Sequence, residues 1–335
     1  MSSPYVSQNG LAGASPEREA PPKRGRSRRR RQGSMVPEAE FSSYYGRPIV
    51  KKPTWAALDI AGYLFLGGLA GASSTLAAGA DLSGRPGLAR PLKLGALGAI
   101  SLSLVALVHD LGRPARFLNM LRVFKPTSPM SVGVWILSAY APAAGAAALA
   151  ELVPLGRLSP LGKLGTAGAA LLGPAVASYT GVLIPNTATP AWHEGHREMP
   201  FVFVASAASA AAGLGLLGAP LQENAPARRL AVLGAVAEIA AVRLLERRVG
   251  IVAETYHRGR AGTLMRAAEA LTLVGVAGAL RSGHRSRFGA AGSGAALLAA
   301  SACARFGIFE AGLASSRDPK YTVTPQRERK QAEAQ

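Results

Sequence analysis

Side chains that can transfer protons occur near the ends of long apolar runs in this sequence. Asp59 and Tyr63 lie four residues apart near the start of the first run, and therefore on one face of a helix. His109 and Asp110 end the second run, and Tyr179 lies close to the end of the fourth. A carboxylate, an imidazole or a phenol can give or take the proton that a substrate gains or loses. We predict Asp59, Asp110 and Tyr179 as catalytic residues.

Cationic and aromatic residues accompany them. Arg113 and Arg116 follow the second run, and Trp192 and His193 follow the fourth. If consecutive runs cross a membrane in opposite directions, all these groups converge at one face. Such a pocket suits a quinone, because the ring carbonyls need hydrogen bonds, the redox reaction needs protons, and the isoprenoid tail needs lipid. We predict that Tyr63, His109 and these four residues bind the quinone; the alternative for each is an interfacial anchor or a helix cap.

A second set of charged residues lies in the last three runs. Ionisable groups within membrane spans are costly and are candidates for function by default. Opposite charges at similar depth can pair and so offset the cost of desolvation. The sequence favours a structural ion-pair network over a proton path, because nothing in it connects this set to Tyr179 or Asp59. The set consists of Glu238, Arg243, Glu246, Glu269 and Arg305.

The composition is that of a membrane protein with basic tails. The chain has 335 residues, of which 49% are hydrophobic and 17% charged, yet its formal net charge is +19. The single cysteine, Cys303, excludes a disulfide framework and an iron–sulfur cluster or structural zinc held by several thiolates of this chain. The five histidines lie at the ends of the predicted helices or in loops, which argues against a bundle-spanning haem. We therefore expect electrons to arrive from a separate subunit.

Eight apolar runs are separated by charge clusters and by Pro and Gly. Each is close to the 20 residues that cross a bilayer as a helix. Runs of this length favour helices over the short alternating strands of a barrel. They predict an all-α integral membrane protein with both termini on one side, its helices packed closely through small residues. The runs are residues 55–80, 92–108, 130–149, 164–184, 200–217, 230–252, 264–280 and 289–312.

Polar tails flank the runs. We predict that residues 1–54 and 313–335 are disordered, and the excess of Lys and Arg on their side places both termini in the cytoplasm of a cell whose plasma membrane holds the protein. The basic segment 24–34 can attract anionic lipid or an acidic partner, whereas solubility is the simpler explanation. We expect the lipid membrane, and not nucleic acid, as its partner.

Several motifs resemble one family. The stretch HDLGRPARFLNMLRVFKPTSPMSVGVW (109–135), with GGLAGA in the first run, YTGVLI (179–184) and PAW (190–192), is similar to the NrfD/polysulfide-reductase membrane subunits. This resemblance implies an eight-helix anchor of two four-helix bundles. We predict that residues 55–220 form the first membrane half, with helices 1–5 and the quinone site, and that residues 221–312 form the second half, with helices 6–8. It also implies reduction of a quinone or oxidation of a quinol, with menaquinone or another quinone as substrate and no redox cofactor in this chain.

The resemblance also implies partners and residue roles. Relatives dock a four-cluster ferredoxin-like subunit, often joined to a molybdopterin oxidoreductase such as a formate dehydrogenase. The quinone-site tyrosine of the family corresponds to Tyr179, and its polar pair in the first helix to Asp59 and Tyr63, where some relatives have asparagine and histidine. Two alternatives stay open, a secondary transporter and a passive membrane anchor. The charge distribution predicts that the partner docks on the cytoplasmic side.

Overall fold

The computed structural model describes residues 6–7, 10–11, 49–113, 115–153 and 160–333. A pair of two-residue antiparallel strands, β1 (Val6–Ser7) and β2 (Gly10–Leu11), lies near the N-terminus. Most of the predicted N-terminal tail, including the basic segment 24–34, lies outside the described residues. Among the described residues from Ala57 to Arg317, helices are the only regular secondary structure.

The long helices follow the predicted apolar runs. They are α1 (Ala57–Leu82), α2 (Pro86–Asp110), α4 (Pro129–Leu152), α5 (Pro160–Leu183), α7 (Met199–Gly218), α8 (Ala225–Arg248), α10 (Gly259–Arg281) and α11 (Arg287–Arg317). Shorter helices lie between them or at the C-terminus, namely α3 (Arg116–Met120), α6 (Pro190–His193), a 3-10 turn (Gly250–Ala253), α9 (Glu254–His257) and α12 (Lys320–Glu333). The long helices extend beyond several of the apolar runs, because helical hydrogen bonding continues into the polar boundary of a membrane.

Within the described ranges, seven helices are long and apolar enough to cross a membrane, and α8 is the long helix that is not among them. The reason lies in the sequence of α8, which contains Arg228, Arg229, Glu238, Arg243 and Glu246. The prediction of a multi-pass helical membrane protein is therefore confirmed. The eighth crossing and the division into two four-helix bundles stay predictions.

Residues of the motif stretch 109–135 determine where helix α4 begins. Ser128 caps α4, where its hydroxyl accepts a hydrogen bond from the backbone N–H of Ser131 at 3.4 Å, and Pro129 occupies the first helical turn. Serine is favoured at this position because it satisfies a free N–H, and proline is favoured just after it because its N–H is not needed. The threonine-serine-proline-methionine stretch therefore fixes where α4 begins.

Small residues set the distances between helices. Sequential long helices pack as hairpins, α1 with α2, α4 with α5, α7 with α8 and α10 with α11, and α1 also packs against α5, α7 and α11. A Cβ added to Gly71 of α1 would collide with the carbonyl oxygen of Gly173 of α5, and the reverse also holds. Gly213 of α7 and Gly294 of α11 have the same relationship. The backbones approach so closely because these positions lack a side chain.

The two ends of the membrane part meet at one side of the bundle. Trp55, just before α1, stacks on Trp192 of α6 with ring centroids 5.8 Å apart. The indole N–H of Trp192 donates to the carbonyl of Ile308, in the last third of α11, at 2.8 Å. We call this side the proximal face; it contains the starts of α1 and α4 and the ends of α2 and α5. The opposite side is the distal face.

The prediction of a disordered C-terminal tail is wrong for residues 313–333. Helix α11 continues to Arg317, and α12 follows from Lys320. The side chain of Lys320 lies 3.0 Å from the carboxylate of Glu254, and that of Arg329 lies 3.2 Å from Glu194. Polar residues of the tail thus form ion pairs with charged residues of the proximal face. These partners cannot be identified from the amino-acid composition alone.

Candidate functional site

A cavity lies at the proximal face between α1, α2, α4 and α5. Its wall is mainly apolar and includes Trp55, Met120 and Met130. Three predicted site residues, Tyr63, Asp110 and Tyr179, also line it. An apolar cavity with a few polar groups is the usual form of a small-molecule site. The antiparallel crossing of successive helices thus brings these three residues together, as the sequence predicts.

Two tyrosines form a hydrogen-bonded pair in the cavity wall. The hydroxyls of Tyr63 and Tyr179 are hydrogen-bonded to each other, and the rings meet edge to face with centroids 6.5 Å apart. Both side chains are buried. Each phenol has one O–H, so the pair uses one proton internally and keeps one for a ligand. The pair can therefore donate one hydrogen bond to a carbonyl oxygen inside the cavity.

A glycine fixes the position of the Tyr179 ring. A Cβ at Gly133 of α4 would collide with the Tyr179 ring, whose Cε2 and Cδ2 atoms lie closest. Gly133 is part of the SPMSVG stretch that starts α4. A Cβ on Gly181, two residues after Tyr179, would come within 2.7 Å of the Cα of Pro200. The motifs around Tyr179 thus supply the space in which its ring lies.

A histidine and two carboxylates connect the cavity to the outside of the bundle. The Nδ1 atom of His109 lies 2.9 Å from an Oδ atom of Asp59. The His109 side chain is 76% exposed, whereas that of Asp59 is 19% exposed. Asp110 interacts electrostatically with both and lines the cavity. The three residues form an acid–base group that reaches from the aqueous boundary to the cavity, although Asp59 itself does not line it.

The cavity is small in this conformation. Its volume is about 90 Å³, which is room for roughly three water molecules. A quinone ring needs more space, so its entry requires side chains to move. Met120 and Met130 are suited to this movement, because methionine is unbranched and adapts its shape at little cost. Helix α3, which carries Met120, contains no buried residue.

Comparison with known families identifies the chain. A family model described as "Polysulphide reductase, NrfD" matches residues 51–245, more than half of the chain. The chain belongs to the NrfD family. A search of curated proteins finds no significant match. NrfD proteins are membrane subunits of oxidoreductase complexes; they interact with quinones and typically pair with iron–sulfur and molybdopterin oxidoreductase subunits. The match contains α1 to α7 and thus the whole proximal cavity.

Five of the six predicted quinone ligands of this NrfD protein do not line the cavity, and His109, which contacts Asp59 instead, is one of them. Arg113 and Arg116 are exposed. Trp192 is buried behind Trp55 and is held by the Ile308 carbonyl. The Nδ1 atom of His193 lies 3.2 Å from the carbonyl oxygen of Pro185.

Sequence reasoning also missed cavity residues. Trp55 was recognisable only as an aromatic residue at a membrane boundary, a position common to many spans. Met120 and Met130 lie in or beside the motif stretch 109–135, but nothing in their residue type distinguishes lining from packing.

The second set of charged residues forms a cluster between α8 and α10. Glu238, Arg243, Glu246 and Glu269 line a cavity of about 70 Å³. A guanidinium nitrogen of Arg243 lies 2.8 Å from Glu269 and another 3.6 Å from Glu246. His257 adds a contact to Glu246 at 3.2 Å. These pairs form an ion-pair network of the kind that the sequence favours.

Arg305 lies deeper in the bundle than the rest of this set. One Nη atom donates to the carbonyl of Phe203 at 2.6 Å, and the guanidinium lies 3.8 Å from the centroid of the Phe203 ring. Arg305 and Glu238 interact electrostatically. In the part of the chain that the structure describes, no hydrogen bond or ion pair joins Arg305 or Glu238 to Tyr179 or Asp59.

The described residues contain no group of three or more His, Cys, Asp and Glu side chains that could hold a metal ion.

Proposed function

We propose that this chain is the quinone-interacting subunit of an oxidoreductase complex, which exchanges electrons between a docked iron–sulfur subunit and the quinone pool of the membrane. The observation that carries the proposal is the Tyr63–Tyr179 hydroxyl pair, which lines one mainly apolar cavity at the proximal face together with Asp110. Two hydrogen-bonding groups in an otherwise apolar wall match a flat ring with two carbonyl oxygens. The family supports the same class of complex.

The reaction needs two electrons and two protons for each quinone. Reduction adds one hydrogen to each carbonyl oxygen, with the electrons supplied by the docked subunit. The free O–H of the tyrosine pair binds one oxygen and gives it a proton, and Asp110 gives a proton to the other oxygen. Asp59 and His109 then return protons from the aqueous boundary, where His109 is exposed. Oxidation of a quinol follows the same groups in reverse.

The partner must dock where electrons reach the cavity, on the proximal face. Basic residues Arg113, Arg116, Arg122 and Lys125 lie on the segment that follows α2, and all four are exposed. They favour a partner with an acidic surface. A four-cluster ferredoxin-like subunit, itself joined to a molybdopterin oxidoreductase such as a formate dehydrogenase, is the partner that we propose. We propose that this face lies in the cytoplasm of a plasma-membrane protein, because the excess of Lys and Arg on the side of the two termini favours that orientation.

We also propose that α8 is an eighth crossing. The stacking of Trp55 on Trp192, whose indole binds the Ile308 carbonyl, supports an even number of crossings between α1 and α11. Arg243 and Glu246 pair with residues of α10 or α9, so part of the charge of α8 is neutralised within the protein.

The orientation of the protein is tested with a reporter that is active only in the cytoplasm and is fused after residue 335. If the fusion is well expressed but the reporter is silent, the C-terminus lies outside the cytoplasm and the proposed orientation is wrong.

Quinone turnover by the purified complex tests the function. The chain is isolated in mild detergent with the subunits that accompany it, these are identified, and electron transfer to a menaquinone analogue is measured. We expect Tyr179→Phe and Asp59→Asn to lower turnover while the complex stays assembled. Full quinone turnover in both variants would show that the proposed pocket is not the quinone site. A passive anchor would show no quinone turnover, and a transporter would move a substrate across vesicles without any soluble partner.

A further inference from the structure

A second cavity, larger than the first, lies at the distal face. Its volume is about 480 Å³, within the range of ligand pockets of roughly 300–1,000 Å³. It lies between the end of α1, the start of α2 and the start of α5. Its wall includes Ala78, Leu82, Arg85, Lys163 and Thr166, together with Asp81. None of these residues takes part in the proposed quinone chemistry.

The charged residues of the cavity wall differ in whether they have an ion-pair partner. Asp81 lies 2.5 Å from the ammonium of Lys93, which also lies 3.0 Å from Glu151. Lys93 shares its single charge between these two carboxylates, and the contacts tie α1, α2 and α4 together. Arg85 and Lys163, in contrast, form no ion pair with any described residue. The cavity wall therefore carries two cations without an ion-pair partner and one carboxylate that is already bound to Lys93, which leaves an excess of positive charge for an anionic ligand.

The cavity lies at the depth of lipid headgroups. Asp59 and Asp81 are 22 residues apart on α1, which corresponds to about 33 Å along a helix and thus to the thickness of a hydrocarbon core. Leu82, in the cavity wall, is 91% exposed, and Leu164, one turn into α5, is 71% exposed. Apolar side chains exposed beside unpaired cations are typical of a surface that faces both acyl chains and headgroups.

We propose that this distal cavity binds an anionic phospholipid of the phosphatidylglycerol or cardiolipin class. Arg85 and Lys163 contact the phosphate, and Leu82 and Ala78 contact the acyl chains. Thr166 does not contribute a proton, because its hydroxyl donates to the Gly162 carbonyl at 2.9 Å. The two cations therefore carry the recognition of the headgroup, and the acyl contacts distinguish the lipid from a free phosphate.

Lipid binding to the delipidated chain in detergent tests this site, with native mass spectrometry as the readout. We expect phosphatidylglycerol to bind more tightly than phosphatidylcholine of the same acyl chains. Replacing both cations, in Arg85→Gln/Lys163→Gln, should weaken the binding of phosphatidylglycerol roughly thirtyfold, since each cation near a lipid surface contributes about fivefold. Arg90→Gln is the matched control, because Arg90 is an exposed cation near the start of α2 outside the cavity. It should bind as the wild type does.

Four results would overturn the proposal. Equal binding of the two lipids, or wild-type affinity in the double variant, would remove the site. An equal loss in Arg90→Gln would show general attraction to a basic surface. If glycerol 1-phosphate raised the melting temperature of the chain as much as phosphatidylglycerol does, the cavity would be a site for a soluble phosphate and not for a lipid. Lys163→Gln alone keeps the test valid if the double variant is unstable, because Lys163 is exposed and replacing it should still weaken binding. The assay contains no quinone, so its result is independent of the proximal site.

Discussion

The hydroxyls of Tyr63 and Tyr179 are hydrogen-bonded to each other although 116 residues separate them in the sequence. The pair joins α1 to α5 at the wall of the proximal cavity. Because both rings are buried, the remaining phenolic proton has few partners apart from a ligand in that cavity. The affinity for a quinone should therefore depend on Tyr63 and Tyr179 more than on the other tyrosines of the bundle.

Tyr63→Phe should weaken binding of a menaquinone analogue to the chain in detergent. The loss of one hydrogen bond, of about 1 kcal/mol, corresponds to roughly fivefold. Tyr140→Phe is the control, because Tyr140 is equally buried but its hydroxyl is bonded to Ser74 at 2.7 Å, outside the cavity. Fluorescence quenching by the analogue measures both affinities. Equal losses in the two variants would show that the effect comes from altered packing.

Gly133→Ala should displace the ring of Tyr179 and reduce quinone affinity more than it reduces stability. The added methyl group would collide with that ring, and the ring is the part of the contact that can turn. Gly145→Ala is the matched control on the same helix, since no atom lies within 4 Å of a Cβ at that position. Analogue affinity and the melting temperature in detergent are compared for both. Unchanged affinity in Gly133→Ala would show that the glycine does not position the tyrosine.

How the site assembles could be predicted from the sequence, because membrane helices leave little freedom. A helix that must cross a hydrocarbon core has a nearly fixed length, and its successor must return. The starts of α1 and α4 and the ends of α2 and α5 therefore meet, and with them Tyr63, Asp110 and Tyr179. This reasoning needs only the approximate ends of each helix.

Contacts of individual side chains could not be predicted in this way. Trp192 resembles a quinone ligand by type and position, yet its indole binds the Ile308 carbonyl, which lies 116 residues away in the sequence. Helix α12 resembles a solvated tail, because its partners Glu194 and Glu254 come from other segments. Such pairings depend on rotamers and on the exact approach of distant helices. The charged residues of α8 likewise do not reveal, from the sequence alone, which residues of α9 and α10 pair with them.

His109→Ala should slow quinone turnover without a comparable change in quinone affinity. His109 contacts Asp59 but does not line the cavity, so its role is to pass protons between water and the carboxylates. We expect kcat to fall and KM to stay within about twofold, which is the pattern of a lost transition-state step. Added imidazole should restore part of kcat. Absence of rescue, together with a raised KM, would indicate that His109 merely supports the structure.

The contact between α12 and α9 should depend on pH. The hydrogen bond from Lys320 holds the pKa of the Glu254 carboxyl below its usual value, and the same bond raises the pKa of Lys320. A lowered carboxyl pKa means that the contact is complete above the ordinary pKa of glutamate and is lost as pH falls through the lowered value. A raised lysine pKa means that it persists below the ordinary pKa of lysine and is lost as pH rises through the raised value.

Hydrogen exchange of residues 320–333 measures this dependence. Protection should be high at neutral pH and should fall in acid. Glu254→Gln should lower protection at neutral pH and flatten the acid limb that Glu254 contributes, whereas Glu328→Gln, an exposed acid of α12, should change neither. An unchanged acid limb in Glu254→Gln would assign the dependence to the Arg329–Glu194 pair, whose separation is 3.2 Å.

Gly71→Ala should destabilise the bundle, because the added methyl group meets the backbone carbonyl of Gly173 and neither helix can yield by turning a side chain. Overpacking of this kind costs about 1–3 kcal/mol. Gly62→Ala and Gly79→Ala are controls on the same helix, where a Cβ has no neighbour within 4 Å. Melting in detergent should show a clear decrease for Gly71→Ala and a small increase or no change for the controls, since alanine is the better helix former. Equal melting of all three variants would show that α1 and α5 are further apart than the structure places them.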